Sequence, residues 1–226
     1  MRLPNEDDTA RLLAIGESRG FPGMLGSIDC MHWTWKNCPY AWQGMYRGHK
    51  KEPTIILEAV ASKDLWIWHA FFGMPGSHND INVLHRSPIF ARLAEGQGPQ
   101  VNYSINGNDY TMGYYLADGI YPSWATFMKT IPEPRGNKNK YFAKVQEACR
   151  KDVERAFGVL QARFAIVRAS ARVWDEDTHS FKPTLSSTCG IISQIYIQIV
   201  LLNDFIYYRN IKALSISFRT YLLSLI

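Results

Sequence analysis

Cysteine is scarce in this chain of 226 residues. Cys30, Cys38, Cys149 and Cys189 form no CxxC pair and no Cys/His spacing of the zinc type, which argues against a disulfide framework and predicts reduced thiols in an intracellular protein. A long hydrophobic run is also missing. The most apolar stretch, GIISQIYIQIVLL from Gly190 to Leu202, has 13 residues and includes Ser193, Gln194 and Gln198, too short and too polar for a membrane span. The opening MRLPNEDDTARLLAIGESRG has no apolar core and is rich in acids, so neither a signal peptide nor a transit peptide is read there. No internal repeat is found.

Acids are missing where bases are plentiful. Between Arg135 and Arg172 stand ten basic residues (Arg135, Lys138, Lys140, Lys144, Arg150, Lys151, Arg155, Arg163, Arg168 and Arg172) against the acids Glu147, Asp152 and Glu154, an excess larger than the chain's whole net charge of +5. A second cluster, Lys36, Arg47, His49, Lys50 and Lys51, is interleaved with Trp33, Trp35, Tyr40, Trp42 and Tyr46. Cations among aromatic rings suit nucleic acid, although either cluster alone also fits a solvated helix face or loop. With 46% hydrophobic and 13% aromatic residues the chain is globular, large enough for one domain with a sizeable core.

Residues 1 to 20 read as a helical lead-in. The strand MLGSID then ends at Asp29, and the aromatic and basic stretch from His32 to Lys51 reads as a long connection. TIILEAVAS and LWIWHAFFG form two buried strands joined at Ser62, Lys63 and Asp64. Asn79 or Asp80 caps a short helix carrying Val83 and Leu84. After the polar stretch GQGPQVNYSINGNDY, the run YYLAD forms a strand with Asp118 at its C-terminal tip, where ligands of α/β sheets bind. A helix start near Pro122 and a short apolar FMKTI follow. Phe142, Val145, Cys149, Val153, Ala156, Phe157, Leu160 and Phe164 recur at three- and four-residue spacing, which predicts one long helix from about Lys140 to Ile166. Beyond about Ser170 neither a helical nor a strand period persists.

That order brings carboxylates together. Asp29 and Asp118 close strands. Glu154 lies about 110° from the centre of the long helix's apolar stripe and Asp152 lies on the opposite flank, so only one of them faces the sheet rim, and periodicity does not choose. Converging like charges repel unless a cation joins them. Mg²⁺ or Mn²⁺ takes oxygen ligands, and two such ions about 4 Å apart can activate water and stabilise the leaving oxygen in attack on a phosphodiester. Each acid taken singly also fits a cap or a surface charge.

GSIDCMHWTWKNCP, AWQGMYRGHKKEPTIILEAVAS, FFGMPGSHNDINVL, YYLADGIYP and KDVERAFGVLQARFAI, spread over roughly Asn5 to Val173, resemble the plant-type DDE transposases of the PIF/Harbinger superfamily. The resemblance implies a ribonuclease H-like fold, a mixed sheet flanked by helices, and metal-dependent cutting and joining of DNA in the nucleus. It also implies a Myb-like accessory DNA-binding protein as a partner. It assigns Asp29, Asp118 and Glu154 as the catalytic acids holding two Mg²⁺ or Mn²⁺ ions, choosing Glu154 over Asp152. The 35 residues between Asp118 and Glu154 match the spacing of one subgroup of that superfamily. Lys36, Arg47, Lys50, Lys51, Arg150, Lys151 and Arg155 are the candidate DNA contacts. Asp80 is a helix cap or a support for the acids, and His32 orients Asp29, touches phosphate or simply packs.

A transposase of this type resembles a longer chain, with a helix-turn-helix region ahead of the nuclease and, after VWDEDT, a helix carrying a His-Asn pair. Here the sequence continues as HSFKPTLSS. The expectation is therefore a fragment truncated at both ends, with little transposition activity. Residues 1–20 are a remnant lead-in, 21–169 the nuclease domain, and 170–226 a divergent, non-native apolar tail that does not complete the fold. The rival expectations are a domesticated, non-cutting module for chromatin or protein interaction, and a metallohydrolase of small phosphoesters.

Overall fold

The computed structural model describes residues 4–88, 90, 91, 100–168 and 195–207. In chain order the elements are α1 (Glu6–Ser18), β1 (Met24–Thr34), α2 (Tyr40–Tyr46), β2 (Thr54–Ala61), β3 (Ile67–Pro75), α3 (Asp80–Leu84), β4 (Gln100–Ile105), β5 (Asn108–Met112), β6 (Tyr114–Ala117), β7 (Phe127–Lys129), α4 (Gly136–Arg150), α5 (Asp152–Arg163), α6 (Ala165–Arg168) and α7 (195–207).

The two apolar runs form the expected antiparallel pair, and β2 is buried along its whole length. β1 lies on the other side of β2, also antiparallel, with Asp29 opposite Ala59. β6 joins β1 in parallel, Ser27 beside Leu116, and β7 extends the parallel part. The order β3-β2-β1-β6-β7 makes a mixed five-stranded sheet. Both faces are covered. Val153, Ala156, Phe157 and Leu160 of α5, with Ile195, Ile199, Leu202 and Ile206 of α7, pack on Leu57, Ala59 and Phe72. Leu84, Phe90 and Tyr121 cover Ile28, Val60 and Tyr115 on the opposite face. This is a ribonuclease H-like architecture. Among the described residues no helix is long and apolar enough to cross a membrane.

Several elements differ from the sequence reading. β1 does not stop at Asp29. It runs on to Thr34 because Trp33 finds a place in the core, while its pairing with β6 ends at Ser27. Asp29 therefore sits where β1 and β6 part, which opens a crevice at the same place a strand tip would. The stretch taken as one long connection thus contains the end of β1 and the helix α2. The polar stretch before Tyr114 forms the β4–β5 hairpin, closed by Asn106 and Gly107 at φ 52° and 79°, the left-handed pair that a two-residue hairpin turn demands. No helix starts near Pro122; residues 121–126 are irregular.

The long helix is broken. α4 ends and α5 begins at Lys151, whose ψ is 1°. Two contacts hold the break. Ser27 on β1 accepts the Val153 N–H at 3.1 Å, satisfying a buried donor of α5's first turn, and Asp152, fully buried, pairs with Arg19 at the end of α1 and with Arg155.

Helix α7 departs from the expectation of an unpacked tail. Its stripe of Ile195, Ile199, Leu202 and Ile206 is buried against the sheet, and Tyr196 donates its hydroxyl to the Ala70 carbonyl at 3.0 Å. The Asn203 side chain accepts the Ile67 N–H at 3.0 Å and donates to the Ile67 carbonyl at 2.8 Å. The remainder of that segment, 169–194 and 208–226, lies outside the described residues, as does Cys189.

Replacing Asn203 by Ala leaves the Ile67 N–H and carbonyl without partners in a dry contact, so it should cost about 3 kcal/mol of folding stability in urea titration. A change below about 0.5 kcal/mol, the size of an ordinary surface substitution, would show that α7 is not part of the stable fold.

Candidate functional site

The crevice beside β1 is a cleft of about 510 Å³ lined by Asp29, Cys30, Met31, His32, His49, Lys50, Asp80, Glu154, Phe157, Gly158 and Gln161. Sequence position explains who stands there. Asp29 shares the sheet face of Ser27, two residues earlier on β1, and Ser27 holds the first turn of α5. Glu154 is therefore delivered to the Asp29 side of the cleft, while Asp152 is spent on Arg19. The loop after α2 closes one wall. Gly48 and Gly76 approach so nearly that a Cβ on Gly48 would overlap the Gly76 carbonyl, and this close fit sets His49 and Lys50 on the rim.

Asp29 and Glu154 share one cation. Arg150 Nη1 stands 3.5 Å from Asp29 Oδ2 and 3.2 Å from Glu154 Oε1, while its Nη2 and Nε bind Glu147 at 2.8 and 3.2 Å. Burial pushes the Asp29 carboxyl up to about 6, against the pull of the Cys30 N–H and of Arg150 and with help from Asp80 and Glu154. The Asp80 carboxyl is also raised, by burial first and by Asp118 second. Asn79, not Asp80, caps α3, accepting the Asn82 N–H at 2.9 Å, so Asp80 is left to face the acids. Asp118 lies one residue beyond β6, half-buried, and accepts the Ile120 N–H at 2.9 Å. The β1–β6 pairing ends with Ser27 beside Leu116, and Asp118 is not among the residues lining the cleft; the acid it acts on is Asp80.

His32 is held neutral: its Nδ1 lies 3.0 Å from Thr54 Oγ1, and burial, then His49 and Lys50, lower its pKa to about 4. Its ring meets that of His49 edge-on at 4.9 Å. The predicted cationic residues divide into two groups. Lys36, Arg47, Lys50 and Lys51 are exposed, Lys50 on the cleft itself. Arg150, Lys151 and Arg155 pair with acids: Arg150 as above, Lys151 with Glu147 at 3.8 Å, and Arg155 with Asp152. Of the aromatics in the second cluster, Trp35 and Tyr46 are buried and Trp42 packs on them, so only Tyr40 is openly presented.

Two acids were missed in the sequence. Glu147 was signalled by its position three residues before Arg150 on a helix. Glu58 was signalled as the lone acid of an apolar strand; it is fully buried, 3.3 Å from His69 Nε2, with Oε2 unpartnered.

A family model described as plant transposon protein matches residues 1–198. The chain belongs to that family. No curated protein and no solved structure matches it. For a plant transposon protein the test is whether the cleft suits a divalent cation. The donors are hard carboxylate oxygens of the right kind. Among the described residues, however, no three His, Cys, Asp or Glu side chains are arranged to hold a metal ion, and Arg150 occupies the space between two of the candidates.

The raised Asp29 pKa sets a pH dependence. The folded protein holds that proton up to about pH 6, the unfolded chain only to 3.8, so stability from this group is full below about pH 4 and is lost as pH rises through 6. In EDTA at pH 7, Asp29→Asn should be more stable than the parent by up to about 3 kcal/mol, the difference vanishing near pH 4. Parallel urea titrations at the two pH values check this; an Asn variant less stable at pH 7 would show that Asp29 is not penalised by burial.

Proposed function

We propose that this chain carries the nuclease domain of a PIF/Harbinger-type DDE transposase, a divalent-metal-dependent endonuclease and strand transferase acting on DNA in the nucleus. What supports this reading is membership of the plant transposon family together with a cleft lined by Asp29, Asp80 and Glu154, with Asp118 close enough to Asp80 to raise its pKa. Asp29, Asp118 and Glu154 would hold the metal. Two Mg²⁺ or Mn²⁺ ions bound there would supply activation of water, then of a 3′-hydroxyl, and stabilisation of the leaving oxygen.

The chain's own groups have separate tasks. Lys50 on the rim, with the exposed Lys36, Arg47 and Lys51, meets phosphate oxygens and sets the strand along the cleft. His32, neutral at physiological pH, offers a hydrogen bond without a charge. Gln161 and the small Gly158 leave the floor open beside Glu154. A Myb-like protein would supply further grip on DNA.

A second reading, a domesticated module that binds DNA or protein without cutting, draws on Arg150, which already neutralises two of the three acids. Relaxation of supercoiled plasmid separates the two. The purified protein should nick slowly with Mg²⁺ or Mn²⁺ and not in EDTA, and Asp118→Asn should lower the rate at least about a hundredfold. Equal rates in parent and variant would remove Asp118 from the site. Binding without nicking in either would favour the module.

A further inference from the structure

We infer that the outer face of α4 is a second contact for duplex DNA, a line of cations that grips the phosphate backbone beside the cleft. This rests on the reading that the chain acts on DNA. The helix turns Phe142, Val145, Gln146 and Cys149 inward. Its exposed side carries Lys140, Tyr141, Lys144 and, at the break, Lys151, with Arg135 and Lys138 exposed at its start. Among the described residues none of Arg135, Lys138, Lys140 and Lys144 pairs with an acid, and the one acid of α4, Glu147, is already joined to Arg150 and Lys151. That pattern does not serve the helix. The N-terminal end of a helix carries partial positive charge and favours acids, yet the first turn of α4 holds none: Lys138 lies within it, and Arg135 stands in the capping position without a capping bond.

Two anchors make this face a rigid track. Gln146, buried, donates to the carbonyls of Ala117 at 3.2 Å and Met128 at 3.1 Å, which pins the middle of α4 to the ends of β6 and β7. At the C-terminal end Arg150 reaches Asp29, so the track leads to the cleft. From Lys138 to Lys151 the axis advances about 20 Å at about 1.5 Å per residue, the length of about six base pairs. Lysines are point charges on long stems, suited to backbone oxygens, and Tyr141, 71% exposed, offers a hydroxyl to the same oxygens. The partner is a duplex because a non-specifically bound single strand is gripped by several stacked rings, and one tyrosine makes no such platform. Tyr114 and Leu116 of β6 turn toward α4, while Tyr115 and Ala117 cluster with Leu84 of α3 on the other face of the sheet, so the exposed Arg86 just beyond α3 is a cation off the track.

The test is binding of a duplex of about 20 base pairs and arbitrary sequence to the purified chain in EDTA, by fluorescence anisotropy over a series of salt concentrations. Lys138→Gln, Lys140→Gln and Lys144→Gln, made together, keep the helix propensity of α4. They should weaken binding at least about tenfold at about 0.1 M salt, and lower the slope of log affinity against log salt by about 2 to 3, close to 0.9 for each lost phosphate contact. Arg86→Gln should change that slope by less than about 0.3. If the triple variant keeps the parent's slope while Lys50→Gln weakens binding, the track fails and the reading of a chain that acts on DNA stands. If Arg86→Gln lowers the slope as much as each lysine of the triple variant does, only net charge is at work, and the inference is overturned. A single strand of the same length, held more tightly than the duplex and loosened more by the triple substitution, would make the track a single-strand site and overturn the inference as stated. A parent that binds no duplex even at low salt removes the DNA reading, and the inference with it.

Discussion

The hydrogen bond from the Val153 N–H to Ser27 Oγ is a small interaction on which the site depends. A helix's first turn has donors that its own backbone cannot satisfy, and α5 begins against the sheet where water is excluded. Lys151, in the capping position, gives no side-chain capping bond. The partner therefore comes from another element, and it comes from β1, two residues before Asp29. One contact thereby relates the helix carrying Glu154 to the strand carrying Asp29. The Asp152–Arg19 pair adds a second tether, to the end of α1, so the start of α5 is held from two sides. Arg11 at the other face of α1 pairs with Asp64 in the β2–β3 turn, which joins the lead-in helix to the sheet as well.

With α5 fixed, electrostatics decides the rest. Three carboxylates, from β1, α3 and α5, line a single crevice, and the protein answers with burial of some protons and with one guanidinium. The raised pKa values of Asp29 and Asp80 and the forked contact of Arg150 are two responses to one excess of negative charge.

Much of this was legible in the sequence, and the failures have physical reasons. β2 was plain because it is buried along its whole length, and β3, though an edge strand, because its apolar and aromatic run is continuous. The break at Lys151 left no trace because the apolar stripe passes through it: Phe142, Val145 and Cys149 face one core cluster, and Val153 to Leu160 face the next, at unbroken spacing. Helix α7 was hidden differently. Its inner stripe is helical, but Ile197, Val200, Leu201 and Phe205 on the outer side are apolar too, so no single period stands out. The motifs singled out Asp29, Asp118 and Glu154, of which Asp29 and Glu154 line the cleft. The part played by Arg150 was not legible, since a base near an acid on a helix is commonplace and only the side-chain geometry shows which acids it joins.

The pairing of Asn203 with Ile67 has a meaning beyond stability. β3 is the outermost strand of the sheet, and such an edge presents bare amides and carbonyls that invite another chain to add itself. A side-chain amide carries the same donor and acceptor as a peptide unit, so Asn203 serves as a strand one residue long, laid down by a helix. It satisfies the start of that edge without offering a new one. At Ile67 the strand therefore has no free backbone group for another chain to pair with, so the residue that seats α7 also blunts the sheet there.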